Sequence, residues 1–171
     1  MIFSEDRVRF ICDWLEENKP DKDCDFYKMW ISIEILRVLV DNEWTNQAIF
    51  PNNYPTTSAA VREAIKFLRT DQIGFQFQER VSRLATRLYD IQDVPGLQRV
   101  IDSMRVGDIA LGYAEIEAGS FLFRRGIKYE FVIPSGTKGG DFDIRLTDYG
   151  VNCEVKHKIE DSIENYHKWY N

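Results

Sequence analysis

Four charged residues near one end of the chain have the types and spacing of groups that act together. They are Asp141, Asp143, Glu154 and Lys156, in the stretch GGDFDIRLTDYGVNCEVK, residues 139–156. The stretch reads as two short strands, Asp141 to Leu146 and Val151 to Lys156, with Asp148-Tyr149-Gly150 at the turn. Side chains two apart on a strand share a face. The acids and the lysine therefore project one way, while Phe142, Ile144, Val151 and Val155 project toward a core. Three carboxylates and an ammonium on such a sheet are costly unless they stay hydrated, pair with one another or bind a cation. The first two outcomes describe a cross-strand salt-bridge ladder. The third describes a metal-dependent active site.

The elements that must position these residues fall into two segments. Residues 1–107 are patterned as helices. Val8, Phe10, Ile11, Trp14 and Leu15 recur at helical spacing behind a Ser4 cap, and Lys19-Pro20-Asp21 stops that run. Phe26 to Val40 reads as a largely buried helix. A loop follows at Phe50 to Pro55, then a helix capped by Thr57 or Ser58 and carrying Val61, Ile65, Phe67 and Leu68. Further helices are expected over Phe77 to Ile91 and, after Val94-Pro95-Gly96, over Leu97 to Met104. The aromatic residues of this half, Trp14, Trp30 and Trp44 among them, read as core, and Arg80, Arg83 and Arg87 as a solvated basic stripe.

Residues 108–171 change character. A helix from Ile109 to Arg125 should end at Gly126, a residue suited to the left-handed C-cap. Lys128 to Ile133 alternates as a strand, the hairpin follows a Gly-rich loop, and Ile159 to Tyr170 is patterned as a charged helix. Glu115 and Glu117 lie on the helix that precedes the strands, about 200° apart around its axis.

This order of helix acid, strand, and acid-then-ExK hairpin resembles the PD-(D/E)xK, or restriction-endonuclease-like, nuclease superfamily. The matching residues are AEIEAGSFLFRRG, 114–126, then KYEFVIP, DFDI and CEVK, about a third of the chain. The resemblance implies an α+β or α/β mixed-sheet core behind an N-terminal helical region. It implies metal-dependent hydrolysis of DNA phosphodiester bonds, with Mg²⁺ or Mn²⁺ as cofactor. Glu154 and Lys156 match the ExK strand, and Glu115 matches the helix glutamate. Asp141 takes the place of the preceding aspartate on the family spacing, with Gly140 where the family usually has proline, and Asp143 competes for the role. A four-residue loop, Thr147 to Gly150, sets Asp143 opposite Glu154, whereas a longer loop from Arg145 sets Asp141 there. Asp141, Asp143, Glu154 and Glu115 are the implied metal ligands, and Lys156 the group that orients the attacking water or stabilises charge on the phosphorus. Lys138 in the Gly-rich loop and Lys158 beyond the ExK strand are candidate phosphate contacts. Many superfamily members work as homodimers.

The family core carries a further strand after the second helix. This chain ends at Asn171, within or just after that helix, so the expectation is a piece of a longer protein. The alternative function is a non-catalytic nucleic-acid or protein interaction module that keeps the nuclease-like arrangement. The totals narrow other classes. A net charge of -6 over 171 residues gives no global basic field. Cys12, Cys24 and Cys153 lack CxxC spacing, and with only His157 and His167 they complete no zinc site. SGTKGG lacks the GxxxxGK[ST] pattern of a nucleotide loop. Without a signal peptide pattern or a membrane-length apolar run, the expected setting is the cytoplasm, away from membranes.

Overall fold

The structure is a computed structural model that describes residues 25–69, 74–133 and 142–156. The fold is mixed α+β. Among the described residues six α-helices are followed by a small antiparallel sheet: α1 (Asp25–Leu39), α2 (Asn42–Ile49), α3 (Ala59–Leu68), α4 (Gly74–Asp90), α5 (Leu97–Val106), α6 (Ile109–Arg124), β1 (Tyr129–Phe131), β2 (Ile144–Leu146) and β3 (Val151–Cys153). The helix expected near Ser4, the helix over Ile159 to Tyr170, and the Gly-rich loop with Lys138 lie outside the described residues, as do Asp141 and Lys158. No helix among the described residues is long and apolar enough to cross a membrane.

The helices form where apolar residues recur every three or four positions. In α4 these are Val81, Leu84, Ala85 and Leu88, all fully buried. In α5 they are Leu97, Val100, Ile101 and Met104. Their faces join with Ile33, Leu36 and Leu39 of α1 and with Ile116 of α6 in one hydrophobic cluster. The cluster continues to Tyr129, Phe131 and Ile144 of the sheet, across the 107/108 junction. Ser58 caps α3 by accepting the Val61 amide at 3.1 Å, one of the two caps the sequence offers. Helix α2 was not expected. Its N-terminus is held by Asp41, whose carboxylate accepts the Trp44 amide at 2.8 Å, and Trp44, Ala48 and Ile49 are buried beneath it.

Two small residues let α6 approach its neighbours. A Cβ on Gly112 would lie 2.2 Å from the Met104 Cγ of α5, and one on Gly119 would lie 2.6 Å from Phe131 Cζ and 2.7 Å from the Tyr129 hydroxyl. The helix ends in a Schellman motif: Gly126, at φ +68°, donates to Phe123 and Ile127 donates to Leu122. The chain then turns straight into β1.

Sheet order is β1-β2-β3, with Phe131 opposite Ile144 and Ile144 opposite Cys153. Tyr129, Phe131 and Ile144 face the helices and are buried. The other face carries Glu130 and Arg145, which are paired in register and joined by a salt bridge of 3.2 Å. The loop between β2 and β3 is the four-residue form, Thr147 to Gly150, with Gly150 at φ +64°. Both hairpin strands are shorter than the sequence pattern suggested, and the cause is Asp143. Its amide donates to the Cys153 carbonyl at 3.0 Å, the carbonyl of the residue opposite Ile144. Its carboxylate accepts the Val155 amide at 2.7 Å, in the place of a backbone acceptor. The regular ladder stops there.

Gly119→Ala tests the close approach of α6 to the sheet. The added methyl meets ring atoms of Phe131 and Tyr129 that are themselves buried, and overpacking of this kind costs about 1–3 kcal/mol. The expected result is a lower urea midpoint with an unchanged slope.

Candidate functional site

Asp143, Glu154 and Lys156 come to one end of the hairpin, and Glu115 approaches that end from α6. The local reason is the bulge-like ending of the ladder. With Ile144 opposite Cys153, Asp143 is the next residue outward on β2 and Glu154 the next on β3. The Asp143 carboxylate then reaches the amide of Val155, the middle residue of Glu154-Val155-Lys156. Asp143 is thus the aspartate that the four-residue loop brings beside the ExK tripeptide. Glu154 and Lys156 form an ion pair with each other, and their side chains are 60% and 74% exposed.

Glu115 has a different environment. Its side chain is 1% exposed, on the buried face of α6 with Gly112, Ile116 and Gly119. Both its oxygens are taken by the Arg99 guanidinium of α5, Oε1 from Nη1 at 3.0 Å and Oε2 from Nη2 at 2.5 Å. Nη2 also lies 3.4 Å from the Asp143 carbonyl oxygen. Burial pushes the Glu115 carboxyl above its ordinary range, the Arg99 hydrogen bonds and charge pull it back, and the charge of Asp143 adds to the rise. That coupling to Asp143 brings Glu115 into electrostatic contact with the hairpin end.

Glu117 faces elsewhere, as its angular offset requires. It pairs with Arg87 of α4, which also donates to the Tyr113 hydroxyl at 3.2 Å. The rest of the basic stripe is engaged too: Arg80 donates to the Phe67 carbonyl at 2.6 Å and Arg83 pairs with Glu79.

Among the described residues no three His, Cys, Asp or Glu side chains stand together as a metal-binding group. Three of the four acids named from sequence, Asp143, Glu154 and Glu115, lie among the described residues. Asp143 and Glu154, just beyond the ends of adjacent strands, carry carboxylates and Val155 a backbone carbonyl, the oxygen chemistry that Mg²⁺ or Mn²⁺ would take. Magnitudes separate Glu154 from Glu115. An exposed pair such as Glu154–Lys156 contributes about 0–1 kcal/mol, so a cation would displace the lysine at little cost. Breaking a buried pair by removing one partner costs about 3–5 kcal/mol, so Glu115 stays with Arg99. Two concavities, of about 440 Å³ along Val94, Phe123 and Tyr129 and about 310 Å³ beside Val38 and Leu97, include none of Asp143, Glu154 and Lys156.

Sequence reasoning passes over Arg99. A cation in the first turn of a helix opposes the helix dipole, and Arg99 stands three residues after the Gly96 N-cap. That misfit is the one local sign that its charge serves a distant partner.

No protein-family model, curated protein or solved structure matches the chain.

The Glu115 environment fixes a pH dependence. A carboxyl whose folded pKa lies above its unfolded value binds more protons when folded, so its contribution to stability is greatest at low pH and falls as pH rises from about 4.5 through the raised value. Glu115→Gln removes this titration. The expected result is a shallower fall in stability above pH 4.5 than in the wild type, so that the deficit of the variant is greatest at low pH and narrows as pH rises, read by urea unfolding at each pH.

Proposed function

We propose that the chain is a metal-dependent nuclease module whose ion-binding group is Asp143, Glu154 and the Val155 carbonyl. The substrate class the resemblance implies is DNA. The observation that carries this reading is the hydrogen bond from the Val155 amide to the Asp143 carboxylate at 2.7 Å. It brings the aspartate of one strand to the middle of the ExK tripeptide on the next, and it pre-orients that carboxylate before any ligand arrives.

A divalent ion held there would polarise a phosphodiester oxygen and lower the pKa of the attacking water. The residues of the chain would do the rest. Glu154, paired with Lys156 here, would be a ligand of that ion. Lys156, released from Glu154, carries its ammonium toward the scissile phosphate, where it offsets the developing negative charge. Val155 stays fixed by its amide bond to Asp143. Glu115 stays on Arg99, whose guanidinium also lies against the Asp143 carbonyl.

A second reading has its own support. Glu115 is closed off by Arg99, and the described residues hold no assembled three-acid group. These are features of a non-catalytic interaction module that keeps the hairpin but not the chemistry.

Cleavage of duplex, single-stranded and branched DNA in Mg²⁺ or Mn²⁺ separates the two. The nuclease reading expects Asp143→Asn, Glu154→Gln and Lys156→Ala each to lower the rate at least a hundredfold, on the order of a lost charge-stabilising group, with circular dichroism unchanged. If the wild type cleaves none of these substrates and binds no Mn²⁺, the interaction module is the correct reading.

A further inference from the structure

The helical region contributes a residue to the hairpin site. We propose that Arg99 of α5 is a positioning residue for Asp143 and the ExK strand, an inference that rests on the reading of the hairpin end as the functional site. It touches no reacting atom and acts through two intermediaries.

The first is Glu115, whose two oxygens it binds in bidentate fashion at 3.0 and 2.5 Å. The second is the backbone of Asp143, whose carbonyl lies 3.4 Å from Nη2. That same carbonyl accepts the Val132 amide of the neighbouring chain segment at 2.9 Å. The Asp143 peptide is therefore held from β1's end and from α5 together, while its side chain holds Val155. One guanidinium thus spans a helix of the first segment, a helix of the second and the strand end between them. These partners lie 16 and 44 residues along the chain from Arg99.

The surroundings fix where that guanidinium can go. Gly96, at φ +81°, starts α5 against β1, and a Cβ there would fall 1.9 Å from the Phe131 carbonyl oxygen. The Phe131 amide donates to the Pro95 carbonyl at 2.9 Å. The first turn of α5, with Arg99 in it, is thereby docked on the sheet. Helix stability does not account for an arginine at this position, since the dipole disfavours it. Nor does packing alone, because the Arg99 Nε is buried with no hydrogen-bond partner among the described residues, a loss that an apolar side chain would avoid. What the arginine adds is its planar fork, which serves Glu115 and Asp143 at once and which lysine cannot reproduce.

The test is amide hydrogen exchange on Arg99→Gln and Arg99→Lys, with DNA cleavage as a second readout. A positioning role predicts exchange at least tenfold faster at Val132, Asp143 and Val155 in Arg99→Gln. Buried amides of α1 and α4, such as Leu36 and Leu84, should stay within about twofold. Arg99→Lys should fall between, since it keeps the charge and loses the fork. If the wild type cleaves DNA, Arg99→Gln should lower kcat tenfold or more with KM within about twofold. If the wild type does not cleave, the exchange pattern alone decides, so failure of the nuclease reading is seen separately from failure of this one. Uniform acceleration across the chain, or none at the three hairpin amides, overturns the proposal. Should Arg99→Gln fail to fold, the same comparison is made on Arg99→Lys, with the same two outcomes.

Discussion

The buried ion pair between Arg99 and Glu115 is the constraint on which the arrangement of the site depends. Glu115 is a carboxylate with 1% of its side chain exposed, and a charge so placed must be paired or neutralised. Among the described residues the countercharge comes from Arg99 of α5, so α5 and α6 must pack with Arg99 and Glu115 in register. Gly112 makes that possible by letting Met104 of α5 close onto α6. Gly119, two turns on, brings Phe131 and Tyr129 of β1 onto the same helix. Once α6 is fixed between α5 and the sheet, the strand end at Asp143 falls within reach of the same guanidinium.

The hairpin end differs in kind from this buried pair. Its charged groups are solvated and weakly paired, as Glu154 and Lys156 are, and its one rigid element is the Asp143 carboxylate on the Val155 amide. A site that must exchange ligands benefits from that division. The framework beneath is costly to rearrange, and the exposed donors are cheap to rearrange. Of the acids named together from sequence, Glu115 is buried in the framework on Arg99, Asp143 is fixed on the Val155 amide, and Glu154 is exposed beside Lys156.

Much of the fold was legible because it depends on local pattern. Helices α3 to α6 follow apolar repeats, Ser58 marks the start of α3 and Gly126 the end of α6 as expected, and the four-residue loop with Gly150 sets a hairpin register that the sequence allowed. Helix α2 was not legible. Trp44 and Thr45 are buried side by side within it, so no clean apolar stripe marks it, and its stability rests on Asp41 as cap and on burial against the core. The strand ends were misjudged because alternation of side chains says nothing of backbone partners, and Asp143 substitutes its carboxylate for one of them. Arg99 was invisible for a related reason: its partners are distant in sequence, and only folding brings three of their oxygens to one guanidinium.

The central claim is that Asp143 and Glu154 together hold a divalent ion. A crystal of the protein soaked in Mn²⁺, with data collected at the manganese edge, tests it most directly. The account predicts one anomalous peak at roughly 2.0–2.6 Å from carboxylate oxygens of both residues, with Lys156 turned away and Arg99 still on Glu115. A structure with Mn²⁺ in the mother liquor, no peak at the hairpin end and the Glu154–Lys156 pair intact would contradict it.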